Sequence, residues 1–201
     1  MTFQHKYNQI NDRAGDVINS IDPAHVTEYD WLVQNINQLD TSQYRRRYSV
    51  FWRLNGAGLS QTYREAYFSF LRDGLNNNAL SLNELAHRLY LIPINTNRQA
   101  LQFSFCTKLC HMLDRNLPIY DSQIRKFYDY AAPLGGQTVD ARIADLVNFH
   151  SFLVNEYKQI IAENLLYTSI QAFRHRLSPQ HFTDIKVVDS LIWAFVNYQE
   201  S

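Results

Sequence analysis

The sequence predicts an all-α fold, and three observations predict it. Glycine and proline number only six and five in 201 residues, whereas sandwiches and doubly wound sheets need many tight turns and glycine-rich loops. Apolar residues recur at three- and four-residue spacing along nearly the whole chain, the period of a helix with one buried face. Hydrophobic residues make up 46% and charged residues 19%, which at this length suits one core and not two. The expectation is a compact single domain over residues 1–201, built from about nine or ten helices.

Asp22-Pro23 reads as an N-cap with proline at the first helical position, ahead of Val26, Tyr29, Leu32, Val33, Ile36 and Leu39. Thr41 or Ser42 caps a helix carrying Tyr44, Tyr48, Phe51, Trp52 and Leu54, with its stop expected at Asn55-Gly56-Ala57-Gly58. Ser60 opens the next, which carries Tyr63, Tyr67, Phe70 and Leu71 and should end at Asp73-Gly74. Ser81-Leu82-Asn83-Glu84 is a capping box before Leu85, Leu89 and Tyr90, and Pro93 closes that element.

A helix is predicted from about Thr96 to Leu113, then an extended Pro118-Ile119-Tyr120, then Asp121 as the cap of a helix with Ile124, Phe127 and Tyr128. Ala131 to Gly136 is a loop. The longest periodic stretch runs from Val139 to Ile161, with Leu165 to Phe173 continuing after a break. Ser178-Pro179 and Asp184 are each expected to start a further piece.

Composition excludes several classes. No apolar run reaches the ~18 residues of a membrane-spanning helix. The polar opening Met1-Thr-Phe-Gln-His-Lys lacks the apolar centre of a secretory signal. Two cysteines cannot build a disulfide framework, which makes the cytoplasm the expected compartment. A formal charge of zero argues against a nucleic-acid coat or an acidic tail.

The neutral total hides an uneven layout. Residues 40–73 hold six arginines against Asp40, Glu65 and Asp73, and residues 98–128 hold five cations against Asp114 and Asp121. Arg45, Arg46 and Arg47 interleave with Tyr44, Tyr48 and Trp52, the mix of cation and stacking surface that unpaired bases use. Arg98, Arg125 and Lys126 extend the candidate nucleic-acid face; a solvated helix surface explains the same run.

The segment from Phe103 to Ile124 carries the chemistry, if any does. Lys108 is expected near the start of one helix and Asp121 at the start of the next, so a short antiparallel link would let both point into one notch. An amine beside a carboxylate is the minimum for attack on a sugar carbon through a cation-like transition state. The competing reading makes Lys108 a surface residue and Asp121 only a cap.

Thr107-Lys108-Leu109-Cys110-His111 followed by Leu117-Pro118-Ile119-Tyr120-Asp121-Ser122 resembles the core of the helix-hairpin-helix DNA glycosylase superfamily, most of all its divergent bacterial members related to oxoguanine glycosylases. Lys186-Val-Val-Asp-Ser-Leu-Ile-Trp193 is similar to a closing helix of those members. The resemblance covers about thirty-five residues. It implies a flipped-out base, Lys108 as nucleophile and Asp121 as electrostatic partner. Where that superfamily's hairpin reads apolar-Gly-apolar-Gly, Leu101 to Phe105 holds no glycine, and the Lys-to-Asp spacing is a short thirteen. The expected function is thus a DNA glycosylase-like protein, with DNA as partner and no cofactor. The alternative is a non-catalytic helical interaction module that keeps only the scaffold.

Smaller signals point away from other chemistry. Cys106 and Cys110 lie one turn apart, but His111 projects about 100° away round the helix, so buried thiols are expected and no metal site. Asn55-Gly56-Ala57-Gly58 lacks the Gly-Lys-Ser/Thr of a phosphate loop. Trp31, Trp52 and Trp193 are expected at core or edge positions with the indole N–H partnered.

Overall fold

A computed structural model of the chain describes residues 3–95, 98–133 and 135–200. Among the described residues there are eleven α-helices and no strand beyond an isolated bridge between Asn95 and Arg98. In order they are α1 (Gln4–Asp12), α2 (Ala14–Asn19), α3 (Pro23–Gln34), α4 (Ser42–Phe51), α5 (Gln61–Leu75) and α6 (Leu82–Tyr90). Then come α7 (Phe103–Leu113), α8 (Ser122–Phe127), α9 (Val139–Ala162), α10 (Tyr167–Leu177) and α11 (Asp184–Gln199). None of these helices is long and apolar enough to cross a membrane.

Side-chain caps set most of the starts. Asp22, Thr41, Ser60, Thr138 and Thr183 accept hydrogen bonds from backbone N–H groups of the first turns of α3, α4, α5, α9 and α11. Ser81 and Glu84 close a reciprocal capping box on α6.

The ends differ from the glycine-based expectation. α4 stops at Phe51, where Leu54 N–H reaches Ser49 O and Arg53 N–H reaches Val50 O, with Arg53 left-handed at φ 60°. The same pattern closes α5 at Asn77, α8 at Asp129 and α9 at Asn164. These are Schellman endings built on Asn, Asp or Arg in place of glycine. They explain how so many helices end with so few glycines. Gly74 lies inside α5, and of the described glycines only Gly58, after the short 3₁₀ turn Asn55–Ala57, takes up a positive φ.

Three further expectations need correction. The helix count among the described residues is eleven and not nine or ten, because α1 and α2 form in the polar N-terminal stretch. Their few apolar residues (Tyr7, Ile10, Val17 and Ile18) are fully buried, and α2 packs on α10 and α11. The helix expected from Thr96 begins at Phe103; Thr96 itself lies outside the described residues. Ser178-Pro179 starts no helix, since Ser178 is the left-handed C-cap of α10 and residues 178–183 run irregularly into α11.

The buried apolar residues form one continuous cluster. α11 packs against α1, α2, α8, α9 and α10, and α7 packs against α5 and α6. The apolar stripe of α9 (Ile143, Leu146, Leu153, Tyr157 and Ile160) is buried within the chain. Cys106 and Cys110 are free, buried thiols, and burial pushes Cys110 up to about 12.

The link between α7 and α8 is held residue by residue. His111 Nδ1 donates to Leu117 O (2.7 Å) and His150 Nε2 donates to Pro118 O (2.9 Å). Ile119 N–H donates to Asp189 Oδ1 (3.4 Å), and Tyr120 N–H donates to Thr107 Oγ1 (3.1 Å). His111 Nε2 in turn accepts from Tyr29 O–H at 2.7 Å, so the ring is neutral with its proton on Nδ1. All four side chains are buried, which makes these bonds strong and their loss costly.

Burial holds His111 down to about 3, below its ordinary 6.5. Between those values the unfolded chain binds a proton that the native chain refuses, so stability falls as pH drops below about 6.5. We predict that urea unfolding of His111→Gln shows a deficit of about 1–3 kcal/mol at pH 7.5 that narrows steadily towards pH 4. A deficit that does not change with pH would contradict this assignment.

Candidate functional site

An open cleft of roughly 1400 Å³ is bounded by the α2–α3 junction, α3, α4, the start of α7, the cap of α8 and α11. From α4 come Ser42, Gln43, Arg46, Arg47 and Val50, a single face at helical spacing. From α11 come Lys186, Asp189, Ser190, Trp193 and Asn197, again one face. α7 contributes Ser104 and Lys108, one turn apart, and the link into α8 contributes Ile119 and Asp121.

Lys108 and Asp121 therefore share this cleft, although Lys108 lies in the middle of α7 and not near its start. Its Nζ donates to Trp52 O (3.3 Å) and sits 5.1 Å and 5.8 Å from the Phe105 and Trp52 ring centres. Desolvation by these neighbours lowers the amine to about 8 from an ordinary 10.5; Asp121 opposes the shift, while Lys186 and Arg53 add to it. A minor but much enlarged fraction of neutral amine at physiological pH follows, compared with an ordinary lysine.

Asp121 combines the two roles that were set against each other. Its Oδ1 accepts from Gln123 N–H (2.9 Å) and Ile124 N–H (3.0 Å), capping α8. The half-buried carboxylate still lines the cleft, and the capping bonds fix its direction. The four hydrogen bonds on residues 117–120 fix the backbone that leads into it.

The remaining sequence-predicted residues divide. Trp52, Arg46 and Arg47 line the cleft. Trp52 is buried at its wall, edge-on to Phe51 (4.6 Å), and its Nε1 has no hydrogen-bond partner among the described residues, contrary to the expectation of a partnered indole. Arg47 is committed to Glu28 through both oxygens and stacks on Trp31 at 3.5 Å. Arg45 turns out of the cleft to Asp40 (2.9 Å) and the Phe68 ring. Lys126 pairs with Glu200 (2.7 Å), and neither it, Arg125 nor Arg98 lines the cleft. Arg45, Arg98, Arg125 and Lys126 thus lie outside the cleft.

Sequence reasoning missed four contributors. Arg53 lines the cleft from its left-handed position and, like Arg46, makes no ion pair among the described residues. His25, at the start of α3, stacks on Phe51 (4.3 Å, 20°) at the cleft wall. Lys186 and Asp189 form a buried ion pair (2.9 Å) in the cleft. Two charges three residues apart inside an otherwise apolar helix were the available signal for that pair. Among the described residues no group of three or more His, Cys, Asp or Glu could hold a metal.

A half-buried ammonium costs stability. At pH 7 Lys108 is charged in the unfolded chain and mostly charged in the native one, so the fold bears nearly the full cost; it disappears as pH rises past 10.5. Lys108→Met is expected to raise the thermal midpoint at pH 7 by about 2–4 °C, with the gain shrinking towards pH 10.5. A variant no more stable than the native chain at pH 7 would contradict the environment described for Lys108. Compared with protein-family models, curated proteins and solved structures, the chain has no match.

Proposed function

We propose that the cleft is a glycosylase-lyase-like site for a nucleoside turned out of a nucleic-acid strand. The observation that carries this reading is an amine with a lowered affinity for its proton, Lys108, beside a fixed carboxylate, Asp121, in one open cleft with aromatic walls. The Lys108 lone pair forms a bond to the sugar C1′ while the C1′–N bond breaks and its electron pair leaves with the base. Asp121 steadies the positive charge that develops on the sugar. The ammonium formed gives its proton to the departing base, and the amine lone pair expels O4′, which takes a proton from water. The resulting imine loses its C2′ proton and 3′ phosphate before water hydrolyses it.

Two further features support it. The cleft exceeds the ~300–1,000 Å³ usual for small-molecule sites, which suits a nucleoside with its flanking phosphates. Arg46 and Arg53 are cations available for those phosphates.

One observation favours the scaffold-only reading. Residues 91–95 and 98–102 between α6 and α7 form no helix, and the sequence from 91 to 102 holds no glycine, where a duplex-binding hairpin would present bare backbone amides. The proposed site relies on side chains for phosphate contact, so single strands and abasic ends suit it better than intact duplex.

Borohydride added to the protein with abasic single-stranded DNA tests the chemistry. The native chain should give a covalent adduct, Lys108→Ala none, and Asp121→Asn at least about tenfold less. No adduct with the native chain, or an undiminished one in Lys108→Ala, would leave the scaffold reading. Separately, Arg46→Ala and Arg53→Ala should each reduce the slope of log affinity against log salt by about 1 on single-stranded DNA. Unchanged slopes would remove these residues from the phosphate path.

A further inference from the structure

Lys186 is the less expected of the two lysines in the cleft. It sits on α11, almost fully buried, and its Nζ donates to Asp189 Oδ2 at 2.9 Å. Asp189 spends its other oxygen on Ile119 N–H. The Lys186 ammonium lies 5.5 Å from the Tyr29 ring centre and 5.7 Å from that of Trp52. The Trp52 ring is also the neighbour of Lys108, whose Nζ is 5.8 Å from its centre. Two ammonium groups thus share one indole at the wall of one cleft.

A buried ion pair of this kind is poor value as a stabiliser, since well-packed apolar residues of similar volume commonly serve as well. Its placement has a different consequence. The two aromatic rings and Asp189 leave Lys186 in one position, and water is largely excluded from around it, so its charge acts on Lys108 at reduced screening.

We propose that Lys186 is a positioning residue, fixed by Asp189 against the Trp52 ring it shares with Lys108, so that its charge adds to burial in favouring the nucleophilic form of Lys108. The inference rests on the reading of Lys108 as the reactive amine and deepens it. The charged groups facing Lys108 from its packing partners are Arg53 beyond α4, Asp121 at α8, and Lys186 and Asp189 of α11. His25, Glu28, Arg46 and Arg47 line the same cleft from α3 and α4. Of the two cations acting on Lys108, Lys186 exerts the larger effect and is the buried one; Arg53 is exposed. Asp189 also serves Ile119 N–H, and its effect on Lys108 is smaller than that of Lys186.

The experiment uses the full chain and no nucleic acid. Reductive methylation with formaldehyde and cyanoborohydride, read at Lys108 by peptide mass spectrometry across pH 6 to 11, reports where that amine becomes neutral. The native midpoint should fall near 8. In Lys186→Met it should rise by about one pH unit or more, and in Lys186→Arg, which keeps the charge, it should return to within about half a unit of native. A midpoint unmoved in a Lys186→Met protein with native circular dichroism would overturn the inference, as would a rise in Lys186→Arg as large as in Lys186→Met.

Should the Met variant not fold, Lys186→Gln and the native chain labelled with carbon-13 at lysine Cε decide. The Lys108 midpoint should lie higher in the Gln variant than in the native chain; a Lys108 signal with the same midpoint in both would overturn the inference. Loss of DNA trapping with these midpoints intact would refute the substrate reading alone, so the two failures are distinguishable.

Discussion

The structure depends on four buried polar contacts that hold residues 117–120 extended. An extended segment between two helices leaves its backbone N–H and C=O groups without ladder partners, and burying them unpaired would cost about 1–3 kcal/mol each. Side chains from three helices supply the partners: Thr107 and His111 from α7, His150 from α9 and Asp189 from α11. The same contacts tie those helices to one another. They also determine where Asp121 stands, because the capping carboxylate is the next residue along.

From that constraint the electrostatics of the cleft follow. Asp189 must face Ile119 N–H, so its second oxygen is available for Lys186, and Lys186 must then lie beside Tyr29 and Trp52. Tyr29 is itself fixed by its bond to His111. Burial raises the Asp189 carboxyl above its ordinary range, against the pull of Lys186. Lys108, which shares the Trp52 ring with Lys186, is largely desolvated by its neighbours, and its charge is correspondingly disfavoured. Polar groups that complete the fold thereby also prepare the amine, which is economical in a chain of this size.

Much of this was legible in the residues. Local signals were read well where the chemistry is local: Asp22, Thr41, Ser60, the Ser81–Glu84 box and Asp121 cap the helices that they announce. Helix ends were read poorly, because a Schellman ending on Arg53, Asn77, Asp129 or Asn164 looks like any polar stretch until its φ is known. α1 and α2 escaped notice because their apolar residues are few and matter only once docked on α10 and α11. Lys108 and Asp121 were visible as a spacing, whereas their common cleft depends on α4 and α11, distant in sequence. The arginine run divides for a related reason: at about 100° per residue, Arg46 and Arg47 reach the cleft while Arg45 turns away to Asp40.

Amide hydrogen exchange at Ile119 and Tyr120 tests the central claim most directly. If side-chain contacts from three helices hold this link, both amides should exchange only through global unfolding, as slowly as the core of α11, although neither belongs to a helix. Exchange at the rate of the neighbouring loop, well below the global free energy, would contradict the account and detach Asp121 from the rest of the cleft.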